Sequence, residues 1–189
     1  MRVRADRAAG RCARLALGAL LAMTVGVGAE AQPKPADPSY PGGSGLPVPR
    51  FVSLKSDRVN MRKGPGTDYP TAWVYRRAGL PLEVIKEFEG WRHVRDADGA
   101  AGWVLQSFLS GRRTALVLPW DAKAGAQLPK VALRNNDSER ARPVAMVEAG
   151  VIANISSCDG SWCRVSIDRF RGYIEQKKLW GVYEGEVIN

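Results

Sequence analysis

The residues able to do chemistry are few. The chain of 189 residues has one histidine, His93, and three cysteines, Cys12, Cys158 and Cys163. A Cys–His nucleophile needs a thiolate beside an imidazole base. A four-ligand zinc site of Cys and His would consume all four of these residues. Ser-His-Asp chemistry would need His93 beside a reactive serine, and no G-x-S-x-G turn is present. The 19 acidic residues allow a carboxylate pair for glycan cleavage by number, but no spacing singles one out. Neither G-x-x-x-x-G-K-[ST] nor G-x-G-x-x-G occurs. We therefore assign no catalytic residue, no metal ligand and no cofactor.

Cys158 and Cys163 flank the loop Asp159-Gly160-Ser161-Trp162. On paired strands, such ends satisfy disulfide geometry. The alternatives are a redox pair, which usually has two intervening residues, and a metal site, which would want a nearby His. The repeat described below aligns this pair with Glu87 and Arg92, which suggests an ion pair across the same hairpin in an earlier copy.

The N-terminus accounts for the third cysteine. Arg2, Arg4, Arg7, Arg11 and Arg14 precede an uncharged run, Leu15 to Ala29, that ends in Ala29-Glu30-Ala31. Basic, apolar, then A-x-A reads as a signal peptide over 1–31. The run is shorter than the roughly 18 residues a spanning helix needs, so stable membrane insertion after cleavage is not expected. The whole chain has 28 basic and 19 acidic residues, a formal +9. Cleavage removes five Arg, one Asp and one Glu, leaving about +6 by this count. Two cysteines remain, an even number suited to an oxidising compartment. Export, to the periplasm by this reading, also removes nucleic acid as the ordinary partner of a basic protein. Residues 32–50 are rich in Pro and Gly and read as a linker, because Pro cannot join a helix interior or a sheet centre.

The elements that position the remaining residues form a repeat. Gly79, Trp91 and Val94 recur as Gly150, Trp162 and Val165 at an offset of 71. Gly102-Trp103-Val104 and Leu109 recur as Gly172-Tyr173-Ile174 and Leu179 at an offset of 70. A period near 70 is too long for a solenoid and suits two copies of a small domain. Each copy reads as strands: PLEVIKEF and VIANISSC alternate, with Leu82, Val84, Ala153 and Ile155 inward. A hairpin with a loop of about four residues follows each. The 105–109 stretch fits a single 3₁₀ turn. The expected fold is all-β, two tandem five-stranded barrels over 51–111 and 112–183, with a tail over 184–189.

The opening Arg58-Val59-Asn60-Met61-Arg62-Lys63-Gly64-Pro65-Gly66-Thr67, with Tyr69-Pro70, resembles the V-N-x-R-x-G-P start of bacterial SH3 (SH3b-type) domains. Gly90-Trp91, Val94 and Gly102-Trp103-Val104 resemble later landmarks of that family. The second copy has Ala132-Leu133-Arg134 in place of V-N-x-R. Its later part, CDGSWCRV to GYIEQKKLWGVY, resembles the tandem SH3-domain proteins exported by alphaproteobacteria. The resemblance implies SH3-like barrels that bind without catalysis, with a cell-wall peptide of peptidoglycan or an envelope protein as partner. A protein–protein adaptor, or a targeting subunit for an envelope enzyme, is the alternative. Oligomeric state is not indicated.

Five residues are candidate ligand contacts: Asn60, Arg62, Tyr69, Tyr75 and Trp91. Asn60 and Arg62 alternate with the apolar Val59 and Met61, so they either tie the next loop locally or meet ligand. Tyr69 and Tyr75 are expected at the surface, whereas Trp91 and Trp103 suit either a recognition face or a thin core. Arg62, Lys63, Arg76 and Arg77 are placed to meet carboxylates. His93 is expected on a barrel surface.

Overall fold

The computed structural model describes residues 43–121 and 128–189. The signal-peptide reading, Cys12 and residues 32–42 of the linker lie outside the described residues.

Alternation of apolar and polar residues writes the strands. The first sheet contains β1 (Arg50–Leu54), β2 (Val59–Arg62), β3 (Thr71–Tyr75), β4 (Pro81–Phe88), β5 (Trp91–Arg95), β6 (Ala101–Leu105) and β7 (Leu109–Ser110). The second contains β8 (Thr114–Val117), β9 (Lys130–Arg134), β10 (Pro143–Glu148), β11 (Ile152–Asp159), β12 (Trp162–Ile167), β13 (Phe170–Glu175) and β14 (Leu179–Trp180); β15 (Val187–Ile188) pairs with β11. The strand orders are β3-β2-β6-β5-β4-β1-β7 and β10-β9-β13-β12-β11-β8-β14, identical position for position. The five strands foreseen per copy are present, and each sheet adds a leading strand and a two-residue closing strand. The 3₁₀ turn falls at Gln106–Phe108 and recurs at Gln176–Lys178.

Each barrel has its own core, and the cores correspond. Val59, Met61, Leu82, Val94, Val104 and Leu109 in the first match Val131, Leu133, Ala153, Val165, Ile174 and Leu179 in the second. Val84 is fully buried as expected, while Ile155 packs at the edge of its core. The recurring Gly102 and Gly172 let β6 and β13 press onto their neighbours. A Cβ on Gly102 would lie 2.8 Å from Arg62 O, and one on Gly172 would lie 2.4 Å from Arg134 O. Both are below any tolerable contact, so only glycine fits.

The central hairpins turn more tightly than the sequence suggests. Pairing runs to Phe88 opposite Trp91, which leaves Glu89-Gly90, and the other turn is Gly160-Ser161. Glu89 and Gly160 take positive φ, +46° and +98°, which allows so short a reversal. Glu87 faces Arg92 as Cys158 faces Cys163. Cys158 and Cys163 form a disulfide. At the matching place Arg92 Nε lies 3.0 Å from Glu87 Oε1, with side chains 5% and 8% exposed. This ion pair is buried, and it is extended by Arg50 Nη2 at 2.5 Å and the Ser44 N–H at 2.6 Å from the Glu87 carboxylate. The end of the linker is thus tied to the first barrel. Burial works to raise the Glu87 carboxyl, but the Ser44 and Arg50 donors outweigh it and hold it below the usual carboxylate range.

The barrels share a packed junction. Phe51 of β1 is buried against Trp180 and Tyr183, at centroid separations of 5.2 and 4.7 Å. Tyr183 Oη donates to Glu83 Oε1 at 3.1 Å, and Arg95 grips the other oxygen of Glu83 at 2.5 Å. Thr114 Oγ1 donates to Gly79 O, and Arg77 Nη1 to Gly150 O, each at 2.8 Å. Burial, then the negative charge of Glu83, pushes the Tyr183 phenol well above its ordinary pKa. The 184–189 stretch, expected to be a tail, supplies β15, and Glu186 in it pairs with Arg113 at 2.7 Å.

Candidate functional site

Strand β2 sets up the site. Val59 and Met61 enter the core, so period-two alternation turns Arg58, Asn60 and Arg62 outward together. Arg62 Nη1 donates to Tyr69 O at 2.7 Å and ties the 63–70 loop to the strand. The loop closes over Gly64, where the Tyr69 ring lies 2.3 Å from the position a Cβ would take. The second barrel repeats the tie, with Arg134 Nη1 donating to Ala141 O at 2.7 Å. Local bonding is therefore one role of Arg62, and its equivalent Arg134 keeps that role although Ala132 replaces the Asn of V-N-x-R and no Gly-Pro follows.

The outward residues of β2 form one side of a groove of about 300 Å³. Arg58, Asn60, Arg62 and Thr67 line one side, while Trp91, Leu105 and Phe108 line the other. Trp91 on β5 and Leu105 at the end of β6 are direct cross-strand partners, which places their side chains on one face. Phe108 comes from the 3₁₀ turn and stays exposed. Two guanidinium groups and no carboxylate line this groove. An aromatic and aliphatic wall opposite guanidinium groups suits an apolar chain bearing a carboxylate.

Three of the five candidate contacts, Asn60, Arg62 and Trp91, meet here. Tyr69 lies beside the groove, half exposed, with its ring on Gly64. Tyr75 is a correction. It is 4% exposed, and its hydroxyl donates to Asp96 Oδ2 at 3.1 Å inside the first core. The last residue of β3 turns inward opposite Val59, so it cannot offer its ring to a ligand. Desolvation, then the Asp96 charge, pushes its phenol far above the ordinary value. In the second barrel Val147 and Ile167 take these two core places, an apolar pair where the first barrel has a polar one.

Other candidates are used elsewhere. Arg77 is spent on the junction, while Lys63 and Arg76 stay exposed. His93 is half-buried rather than exposed, with its ring 5.0 Å from that of Trp103. Burial, helped by Lys86, pushes its pKa below the ordinary value and keeps it neutral at pH 7. Trp103 also meets Phe88 edge-on at 6.5 Å. Sequence reasoning passed over Arg58, Thr67, Leu105 and Phe108. Arg58 carried a usable signal, since it stands two residues before Asn60 on the same face. Phe108 carried none, because a 3₁₀ turn has no period long enough to read. Among the described residues, no group of three or more His, Cys, Asp or Glu is arranged to hold a metal ion. No helix among them is long and apolar enough to cross a membrane.

Two small antiparallel barrels of identical strand order, each opened by a V-N-x-R-type strand, define a tandem SH3-like protein. The model of the bacterial SH3 domain matches residues 55–111 and 127–181, more than half of the chain, and the protein belongs to that family. No curated protein matches the chain. Among solved structures, it is similar to NlpC2 and NlpC1 from Trichomonas vaginalis, each at 16% identity and a TM-score of 0.31. Those two matches cover 70% and 73% of this chain. A third similar structure is an NlpC/P60 family protein from Bacillus cereus ATCC 10987, at 11% identity, a TM-score of 0.30 and 69% of this chain. The match spans 48% of each of the first two structures and 55% of the third.

Proposed function

We propose that this is an exported, non-enzymatic binding protein of the cell envelope, which holds carboxylate-bearing stem peptides of peptidoglycan in the groove of its first barrel. The observation that carries the reading is the groove itself, with Arg58 and Arg62 facing Trp91, Leu105 and Phe108 and no acid among the lining residues. Bacterial SH3 domains commonly bind cell-wall components, and the Cys158–Cys163 disulfide suits an oxidising compartment such as the periplasm. Guanidinium–carboxylate contacts supply orientation, while the aromatic wall supplies apolar contact.

Co-sedimentation with purified peptidoglycan tests the reading. The protein should be retained at low salt and released as salt rises, because exposed charges are screened. Arg58→Ala and Trp91→Ala should each cut retention. A wild-type protein that stays in the supernatant at low salt contradicts the reading.

One observation favours a second reading, a protein–protein adaptor. Edge strand β3 presents Trp73 at 58% exposure, a surface on which a partner could dock. Crosslinking that recovers a single stoichiometric protein and no wall material would support it.

A further inference from the structure

Part of the groove recurs in the second barrel, with carboxylates among its lining residues. Trp162 and Glu175 are cross-strand partners there, as Trp91 and Leu105 are in the first barrel. The loop tied by Arg134 brings Glu139 to the place that Thr67 holds in the loop tied by Arg62. These residues line a hollow of about 590 Å³, together with Gln176, Lys177 and Glu184. Lys130 and Arg134 stand where the first barrel has Arg58 and Arg62, but neither lines this hollow, and three carboxylates line it instead.

Acidic residues alone would say little, but two further features point to a cation. Gln176 is 5% exposed; its Nε2 donates to Glu186 O at 2.8 Å, and its Oε1 has no hydrogen-bond partner. That bond fixes the amide orientation and leaves a buried acceptor in a residue lining the groove, an arrangement that costs free energy until a donor arrives. The other feature is Lys177. Its side chain is 72% exposed, yet its Nζ lies 2.7 Å from Glu175 Oε2. The approach is off the line of a directed hydrogen bond, since Oε2 is buried and lacks one. Lys178 takes the other oxygen at 2.5 Å. Among the described residues, Glu139 and Glu184 have no ion-pair partner. An ammonium of the chain's own thus rests on the groove from outside and fits it imperfectly.

We propose that the second groove binds the primary ammonium of a peptide side chain, with Trp162 flanking its aliphatic stem, Glu139, Glu175 and Glu184 supplying charge, and Lys177 as the internal ammonium the ligand displaces. The inference concerns a different groove from that of the proposed function, and it stands whether or not the first barrel holds a carboxylate.

The test is an NMR titration of the whole protein with the tripeptide acetyl-Gly-Lys-Gly amide, which has an ammonium and no carboxylate. Saturable shifts are expected at the Trp162 indole and at the Gly160 and Ser161 amides. The same peptide acetylated on its lysine should produce none. Combined Glu139→Gln and Glu184→Gln substitution should weaken binding. Lys177→Ala should tighten it about two- to fivefold, the worth of releasing an exposed ion pair; a lysine serving only the fold would not do this. Absent shifts, equal shifts with the acetylated peptide, or Lys177→Ala binding that is unchanged or weaker would each overturn the inference. N-acetyl-alanine, a carboxylate without an ammonium, reads the first groove through the Trp91 indole in the same spectra, so failure of one groove is distinguished from failure of the other.

Discussion

Tyr75 and Trp91 separate the two jobs an aromatic residue can have in so small a barrel. Tyr75 fills the first core and meets Asp96, whose other oxygen accepts the Asp98 and Ala100 N–H groups of the following turn. Tyr75→Phe should therefore cost about 1–3 kcal/mol in urea unfolding, because a buried carboxylate oxygen loses its donor. Peptidoglycan retention should be unchanged. Trp91→Ala should show the reverse, with near-native stability and weakened retention. Glu87 offers a pH test. Its folded pKa lies below the unfolded value, so its stabilising contribution is complete above about pH 4.3. That contribution is lost as pH falls through the lower folded value. Glu87→Gln should flatten this acid limb in urea unfolding measured across pH, and an unchanged limb would show that Glu87 is not its source.

At the level of the element, one hairpin is closed in two ways. The matching registers predict that the double variant Glu87→Cys/Arg92→Cys forms a disulfide, read as the absence of free thiols. Arg92→Ala should cost about 3 kcal/mol, at the low end for breaking a buried pair, because Arg50 still meets Glu87. Cys158→Ser/Cys163→Ser should cost about 2 kcal/mol, since so short a ring constrains the unfolded chain little. Much of this hairpin was legible in the sequence. Period two and the offset of 71 identified the strands, the inward faces and the equivalence of the two closures. What the residues could not reveal was depth. Nothing in the type of Glu87 says that Ser44 and Arg50 converge on it, because those contacts span about forty residues of chain. Tyr75 misled for the same reason: a tyrosine at a strand end suits surface or core equally, and only the cross-sheet position of Asp96 decides. Half of the groove was visible as V-N-x-R and Gly-Trp. The other half depends on the 3₁₀ turn, whose placement is set by closure of the barrel.

For the molecule as a whole, the duplication has produced two folds joined by a shared junction. Phe51, Trp180 and Tyr183 were not readable as an interface, because each sits in a stretch that also satisfies its own barrel. Thermal unfolding of the intact protein should be a single transition. Phe51→Ala empties the centre of the junction and should destabilise by about 3–5 kcal/mol. It should also split unfolding into two steps, seen by calorimetry, whereas a single undivided transition in this variant would mean that the polar contacts alone couple the barrels. The most direct measurement of the central claim is titration of the protein with soluble stem-peptide fragments of peptidoglycan, followed by NMR and by mass spectrometry of the recovered fragments. The account predicts saturable shifts at Trp91, Leu105 and Phe108, with every fragment recovered intact. Cleaved fragments, or binding that leaves the first groove unperturbed, would contradict it.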